Sequence, residues 1–221
     1  MKSTIAPIIE LKGPVLASSG SLQLTINRGD VIEIVSDTPA DVRRVLRVLA
    51  TLERPGEIEY RFDGRRVDLQ NYRHCLDVKR RIGYVAADAA MISNRTIREN
   101  LLLTRYYHEN DLSIDIDAAV MSLCRGAGLS GKLDRRPAAL SEAGLRKFIA
   151  IREMAKAPAV LLLERPEDFM LESQDVGIFS YLEELIRSGT AVVYYSAYNK
   201  MNALANRQLK LVAGAVRTGS A

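Results

Sequence analysis

The residues best placed to do chemistry lie in short polar segments that each follow or precede a periodic apolar run. SDTPADVRR follows VIEIV and sets Asp37 and Asp41 beside Arg43 and Arg44. Glu164 and Arg165 follow AVLLL, and LSEAG sets Ser141 and Glu142 ahead of a helical run. Guanidinium groups bind phosphate well, so Arg43 and Arg44 could form a phosphate cradle. Asp37 and Asp41 oppose it, because two like charges about 4 Å apart repel by roughly 4 kcal/mol at an effective dielectric near 20. The other reading of the segment is a plain loop before an amphipathic helix. Arg165 cannot act as a general base, since a guanidinium stays protonated; a charge pair with Glu164 or Glu167 is its structural reading. Cys75 and Cys124 lack CxxC spacing, and His74 and His108 form no ligand cluster, so neither a disulfide framework nor a metal site is expected.

The elements that must position these residues can be read from periodicity. IIELKGPVL and SLQLTI alternate as two paired strands, and VIEIV is a short run of the buried-strand type. Val42, Val45, Leu46, Leu49 and Leu52 recur at helical spacing, with Asp41 as a candidate N-cap. GEIEYRFDGRRVDL reads as a hairpin turning at Asp63 and Gly64. A short helix over 72–80 and the strand RIGYVAAD follow. From Thr96 to about Arg136 the pattern is helical, and LRKFIAIREMAKA is a further helix leading into AVLLLERP. The rest reads as a helix over 176–187, a strand at AVVYYSA, a helix near 200–207 and a last strand pair at QLKLVAGAV. Strands alternating with helices imply an α/β fold with a mainly parallel sheet.

Composition sets outer limits. With 221 residues, 48% of them hydrophobic, the chain can bury a full core. No apolar run approaches the roughly 20 residues of a membrane helix. The start, MKSTIAPIIE, has no apolar stretch of the secretory type, so a cytoplasmic location is expected. The net charge is +4. Basic residues such as Arg61, Arg65, Arg66 and Arg81 alternate with acids, without a stripe of interleaved aromatics, so no nucleic-acid partner is expected.

Taken in order, VIEIVSDTPADVRRVLRVLATLERPGEI, RRIGYVAADAAMISNRTIRENLLL, ALSEAGLRKFIAIREMAKAPAVLLLERPEDF and GTAVVYYSAY resemble the successive landmarks of an ABC-transporter nucleotide-binding domain, nearly end to end. The resemblance implies a P-loop NTPase-like, mainly parallel sheet flanked by helices, with an N-terminal antiparallel β subdomain and a helical lobe. It implies one domain over 1–221, with 1–90 and 140–221 as core and 91–139 as the lobe.

The same resemblance puts replacements at each ATP-contacting element. A working P-loop, GxxxxGK[ST], wraps phosphates with backbone N–H groups, meets them with lysine and holds Mg²⁺ with a hydroxyl. Here Ser36 and Asp41 take the glycine positions, Val42 the lysine and Arg43 the hydroxyl, a degenerate Walker A segment with Asp37 and Arg44 alongside. Ala87 stands where the family has a glutamine that senses Mg²⁺ and couples to the membrane subunits. The signature LSGGQ reads LSEAG, leaving Ser141, Glu142, Ala143 and Gly144. Walker B offers Glu164 for the metal-supporting aspartate and Arg165 for the water-polarising glutamate. The switch histidine becomes Ser196 or Ala197, and the D-loop aspartate falls near Leu171.

The implied protein is a pseudo-ATPase: a catalytically degenerate ABC-transporter subunit with no intact catalytic or cofactor-binding site and no bound cofactor. It would act through docking, structural or regulatory contacts in a membrane transport complex, on the inner face of the membrane. Its partners would be a membrane permease, a second ATP-binding subunit, or both, in a homo- or heterodimer. The family's docking groove maps to Ala87 through about Tyr107, with Met91, Ile92, Tyr106 and Tyr107 as contacts. The alternatives are an active ABC ATPase with unorthodox motifs, using ATP and Mg²⁺, and a free-standing regulatory or scaffold protein. TIRENLLLTRYYHENDL resembles the Mla-type phospholipid-trafficking branch.

Overall fold

A computed structural model of the chain describes residues 6–16, 21–170, 176–196, 201, 203–212 and 215–220. Two sheets organise it. The first is antiparallel, with strands β1 (Ile9–Gly13), β2 (Leu22–Ile26), β4 (Glu59–Phe62) and β5 (Arg65–Arg66) in the order β2-β1-β4-β5. The second holds β3 (Val31–Ser36), β6 (Ile82–Val85), β7 (Val160–Glu164), β8 (Ala191–Tyr195), β9 (Arg207–Val212) and β10 (Ala215–Ser220), in the order β10-β9-β3-β8-β7-β6. Every neighbouring pair in it is parallel except β9 and β10.

Side-chain alternation divides the interior between the two faces of the second sheet. Ile32, Ile34, Leu162 and Val193 point toward helix α1 (Pro39–Leu49) and the antiparallel sheet. Val31, Leu161, Leu163 and Val192 point the other way, toward α5 (Glu142–Met154) and α7 (Val176–Arg187). Because both faces are covered, β7 is buried at all five positions, whereas β1, covered on one face, alternates. Helices α3 (Ile97–Glu109) and α4 (Ala118–Gly126) join the second core through Ile97, Leu101, Leu123 and Cys124. A capping box of Thr96 and Glu99 starts α3, each side chain accepting from the other's backbone N–H. Among the described residues no helix is long and apolar enough to cross a membrane.

The turn between β4 and β5 needs positive φ at both central residues, and Asp63 (φ 46°) and Gly64 (φ 74°) supply it. Arg81, just past α2 (Tyr72–Arg80), lies over the Phe62 ring at 4.8 Å and pairs with Asp63, tying α2 to this hairpin. Gly83 in β6 lets α5 approach: a Cβ there would stand 2.8 Å from Leu161 Cδ1 and 3.0 Å from the Glu153 carbonyl oxygen.

Three expectations are corrected. Asp41 does not cap α1; Thr38 occupies the N-cap, Pro39 opens the helix, and Asp41 sits inside the first turn. Proline's fixed φ suits the first helical position, which draws the start forward. The helix α5 likewise begins at Glu142 instead of Leu145, because Ser141 Oγ accepts the Gly144 N–H at 3.2 Å. No helix occupies 203–207, and Lys200 lies outside the described residues. Arg207 instead begins β9: its guanidinium donates to the Thr25 carbonyl at 2.8 Å and pairs with Asp30, while Asn206 Oδ1 accepts the Val31 N–H at 3.0 Å.

Candidate functional site

The carboxyl ends of β7 and β8 and the first turns of α1 enclose a cleft of about 530 Å³, whose walls include Arg43, Arg44, Ala87, Glu164, Arg165 and Tyr195. In open α/β sheets this end is where ligands bind. The connection from β3 to α1 consists of Asp37 and Thr38 alone. Ser36 Oγ accepts the Thr38 N–H at 3.1 Å, and the Thr38 carbonyl accepts the N–H groups of Asp41 at 3.0 Å and Val42 at 3.4 Å. Residues 39–41, in the segment expected to correspond to a Walker A loop, are thus helix, and the N–H groups of Asp41 and Val42 are engaged within the turn. Val42, expected from the resemblance at the lysine position, packs in the first core at 1% exposure.

Glu164 closes β7 as a buried carboxylate with three partners. Its Oε1 accepts from the Tyr84 hydroxyl. Its Oε2 accepts the Ala87 N–H at 3.0 Å and lies 3.4 Å from Arg43 Nη2. Burial first, and then the bond to Glu164, holds the Tyr84 phenol above its ordinary range, so it remains a donor. Arg43 Nη1 is 3.5 Å from Asp88 Oδ2. Arg44 leans toward Glu53 at 3.9 Å, and Arg47 bonds the other oxygen of that carboxylate at 2.9 Å.

Arg165 adopts a left-handed backbone (φ 53°), its N–H donating to the Tyr195 carbonyl at 2.9 Å. Its side chain pairs with Asp168 at 3.0 Å, not with Glu164 or Glu167 as expected. The i+3 spacing at the start of the short helix α6 (Glu167–Met170) places Asp168 on its side, while Glu167 is buried and accepts from Ser196 Oγ at 2.8 Å. Ala197 and Leu171 lie outside the described residues.

Arg146 carries no landmark motif, yet it is central here. Buried in α5, it donates to the Ala86 carbonyl and, through Nη2, to the Glu164 carbonyl at 3.1 Å, and lies 3.9 Å from Asp168. Burial lowers its pKa, with Asp168 opposing the shift. The only sequence signal was a charged pair, Arg146 and Lys147, directly ahead of the apolar stretch FIAI. Tyr84 and Asp88 gave no signal of their own.

The LSEAG segment forms the N-cap turn of α5, with Ser141, Glu142 and Ala143 exposed and Gly144 buried. Among the docking candidates, Ile92 (43% exposed) and Tyr107 (74%) face outward, Tyr106 is half-buried and Met91 packs against the second core. Buried Asn100 pins Ile92, accepting its N–H at 2.8 Å and donating to its carbonyl at 3.1 Å. A groove of about 550 Å³ borders Leu103, Tyr106, Tyr107 and Leu112.

A P-loop site for ATP and Mg²⁺ uses a loop of free N–H groups, a lysine, a hydroxyl and a metal-supporting carboxylate. The residues present do not fit that pattern. The loop is wound into α1, Val42 is in the core, and the Glu164 carboxylate is engaged by Tyr84, Ala87 and Arg43.

No protein-family model matches the chain. It is 26% identical over 197 residues to the lipoprotein-releasing system ATP-binding protein LolD of Myxococcus xanthus, covering 88% of each chain. It is 25% identical over 186 residues to the methionine import ATP-binding protein MetN of Haemophilus influenzae, covering 84% of this chain and 54% of the relative. The chain thus spans most of the first and about half of the second. Among solved structures, the dimeric ABC transporter cassette MJ0796 superposes with a TM-score of 0.80 at 18% identity, covering 96% of this chain and 98% of that one. An ATP-binding subunit of an ABC transporter does so with a TM-score of 0.80 at 16% identity, covering 96% and 90%. The chain has the ABC ATPase fold.

Proposed function

We propose that this chain is a non-hydrolysing ABC-transporter subunit that works by docking to a membrane permease or a second ATP-binding subunit, as a homo- or heterodimer at the inner face of the membrane. The observation that carries the reading is Val42, a core side chain at 1% exposure where a P-loop needs lysine. Arg165 supports it from the other wall: at the position of the water-polarising glutamate stands a permanent cation paired with Asp168. Asp37 and Asp41 add carboxylates where a polyphosphate would lie. Intact partner motifs would not repair either composite site of a dimer, because this chain would bring a degenerate P-loop to one and LSEAG to the other.

The docking surface under this reading runs from Ala87 past Met91 and Ile92 to Tyr106 and Tyr107, with the groove at Leu103 and Leu112 as its apolar part. A lipid or hydrophobic cargo is suggested only by the resemblance of TIRENLLLTRYYHENDL to the phospholipid-trafficking branch.

Calorimetric titration of the purified chain with ATP and Mg²⁺ tests the reading, together with turnover measured alone and with a permease recovered from native membranes. Expected are no heat of binding, no turnover and recovery of a permease. Turnover that disappears in Glu164→Gln would establish instead an active ATPase with unorthodox motifs. Failure to recover any permease would leave a free-standing regulatory or scaffold protein.

A further inference from the structure

In P-loop ATPases a hydroxyl at the start of the first helix and a carboxylate at the end of another strand of the same sheet share a divalent cation. Here those positions are Arg43 and Glu164, and they contact each other: Arg43 Nη2 lies 3.4 Å from Glu164 Oε2. The other arm of the same guanidinium, Nη1, reaches Asp88 Oδ2 at 3.5 Å. Glu164 Oε2 also accepts the Ala87 N–H at 3.0 Å. One guanidinium, two carboxylates and the main chain at residue 87 therefore form a connected set joining α1, β7 and the segment after β6, with the Tyr84 hydroxyl on the other oxygen of Glu164.

We infer that Arg43 is a built-in cation that takes the place of the divalent ion and holds the segment after β6 in one setting. A carboxylate as buried as Glu164, 4% exposed, requires a compensating charge. In a metal-dependent site the ion supplies it. Here the planar fork of arginine reaches two carboxylates from one side chain, which the compact ammonium of lysine does less well. The inference rests on the non-hydrolysing reading and gives it a mechanical consequence. Residues 87 and 88 lead directly to Met91 and Ile92, which Asn100 ties to α3. A metal held with nucleotide can come and go; a cation that is part of the chain cannot. The proposed docking surface is thereby posed without any ligand.

The test uses the full chain as wild type, Arg43→Ser, and Arg43→Ser combined with Glu164→Gln, with Mn²⁺ binding followed by electron paramagnetic resonance in the absence of nucleotide. Wild type is expected to bind at least about tenfold more weakly than Arg43→Ser, in line with a competing charge-assisted contact, and the added Glu164→Gln to abolish the gain. Amide exchange at Ala87 is expected to quicken by about tenfold in Arg43→Ser, the factor for losing one such contact, and to slow again when Mn²⁺ is added. Mn²⁺ binding by wild type as tight as by Arg43→Ser, no Mn²⁺ binding by folded Arg43→Ser, or unchanged exchange at Ala87 each overturns the inference. If Arg43→Ser does not fold, Arg43→Lys decides: faster exchange at Ala87 supports a two-carboxylate fork, and unchanged exchange rules it out. Turnover of Mg²⁺-ATP by wild type would remove the functional reading while leaving the Mn²⁺ result on Arg43→Ser to stand or fall by itself.

Discussion

The interior of the parallel sheet and its carboxyl end obey different rules, although they belong to the same strands. Within β7 and β8, Leu161, Leu162, Val192 and Val193 are fully buried and apolar, packed on both faces. A few residues further along, the chain reaches Glu164, Arg165 and Ser196, where charged and polar groups pair with one another around a cleft. Packing restricts the first region to a narrow set of shapes. The second need only satisfy its own charges, and it does so by pairing arginines with carboxylates.

The sharpest way to break this contrast is to compare truncations in the two regions. Phe148→Ala, at a fully buried position of α5, is expected to cost about 3–5 kcal/mol in denaturant unfolding. Gly83→Ala should cost about 1–3 kcal/mol, because the new methyl group meets the Glu153 carbonyl and Leu161. At the cleft, Arg165→Gly is expected to change stability by less than about 1 kcal/mol and in the favourable direction. It relieves a left-handed backbone at φ 53° while losing only an exposed ion pair. A loss at Arg165 as large as that at Phe148 would show that the cleft is as tightly constrained as the interior.

A pH-dependent effect is expected at Cys124 in α4, whose thiol is pushed up to about 11 by burial. The native state thus favours the protonated thiol, so this contribution to stability is complete below the ordinary value of 9.0 and is lost as pH rises toward about 11. Unfolding midpoints between pH 8 and 10.5 should fall more steeply for wild type than for Cys124→Ala. Equal slopes would place α4 outside the tightly packed interior.

What could be read from the sequence follows the same division. Elements whose signal is periodic were legible: α2 at Tyr72–Arg80 and α7 at Val176–Arg187 match the expected limits, as does the turn at Asp63 and Gly64. The start of α1 was not, because Asp41 and Thr38 are both capping residues and the choice fell to Pro39. The wiring of the cleft was least legible. Tyr84 meets Glu164 across 80 positions and Arg146 meets Ala86 across 60, and no local pattern encodes such a pairing. Arg165 was recognised as a cation seeking a carboxylate, but its choice of Asp168 depended on the helical turn of α6.

The outer strand of the antiparallel sheet has a bearing on assembly. β5 is the edge of that sheet, and both of its residues, Arg65 and Arg66, are exposed. A second copy extending the sheet edge to edge at β5 would set these arginines against its own pair, and like charges directly opposite one another destabilise such a ladder. Self-association by strand addition is discouraged at that border, so any pairing of two copies would have to use other faces of the molecule.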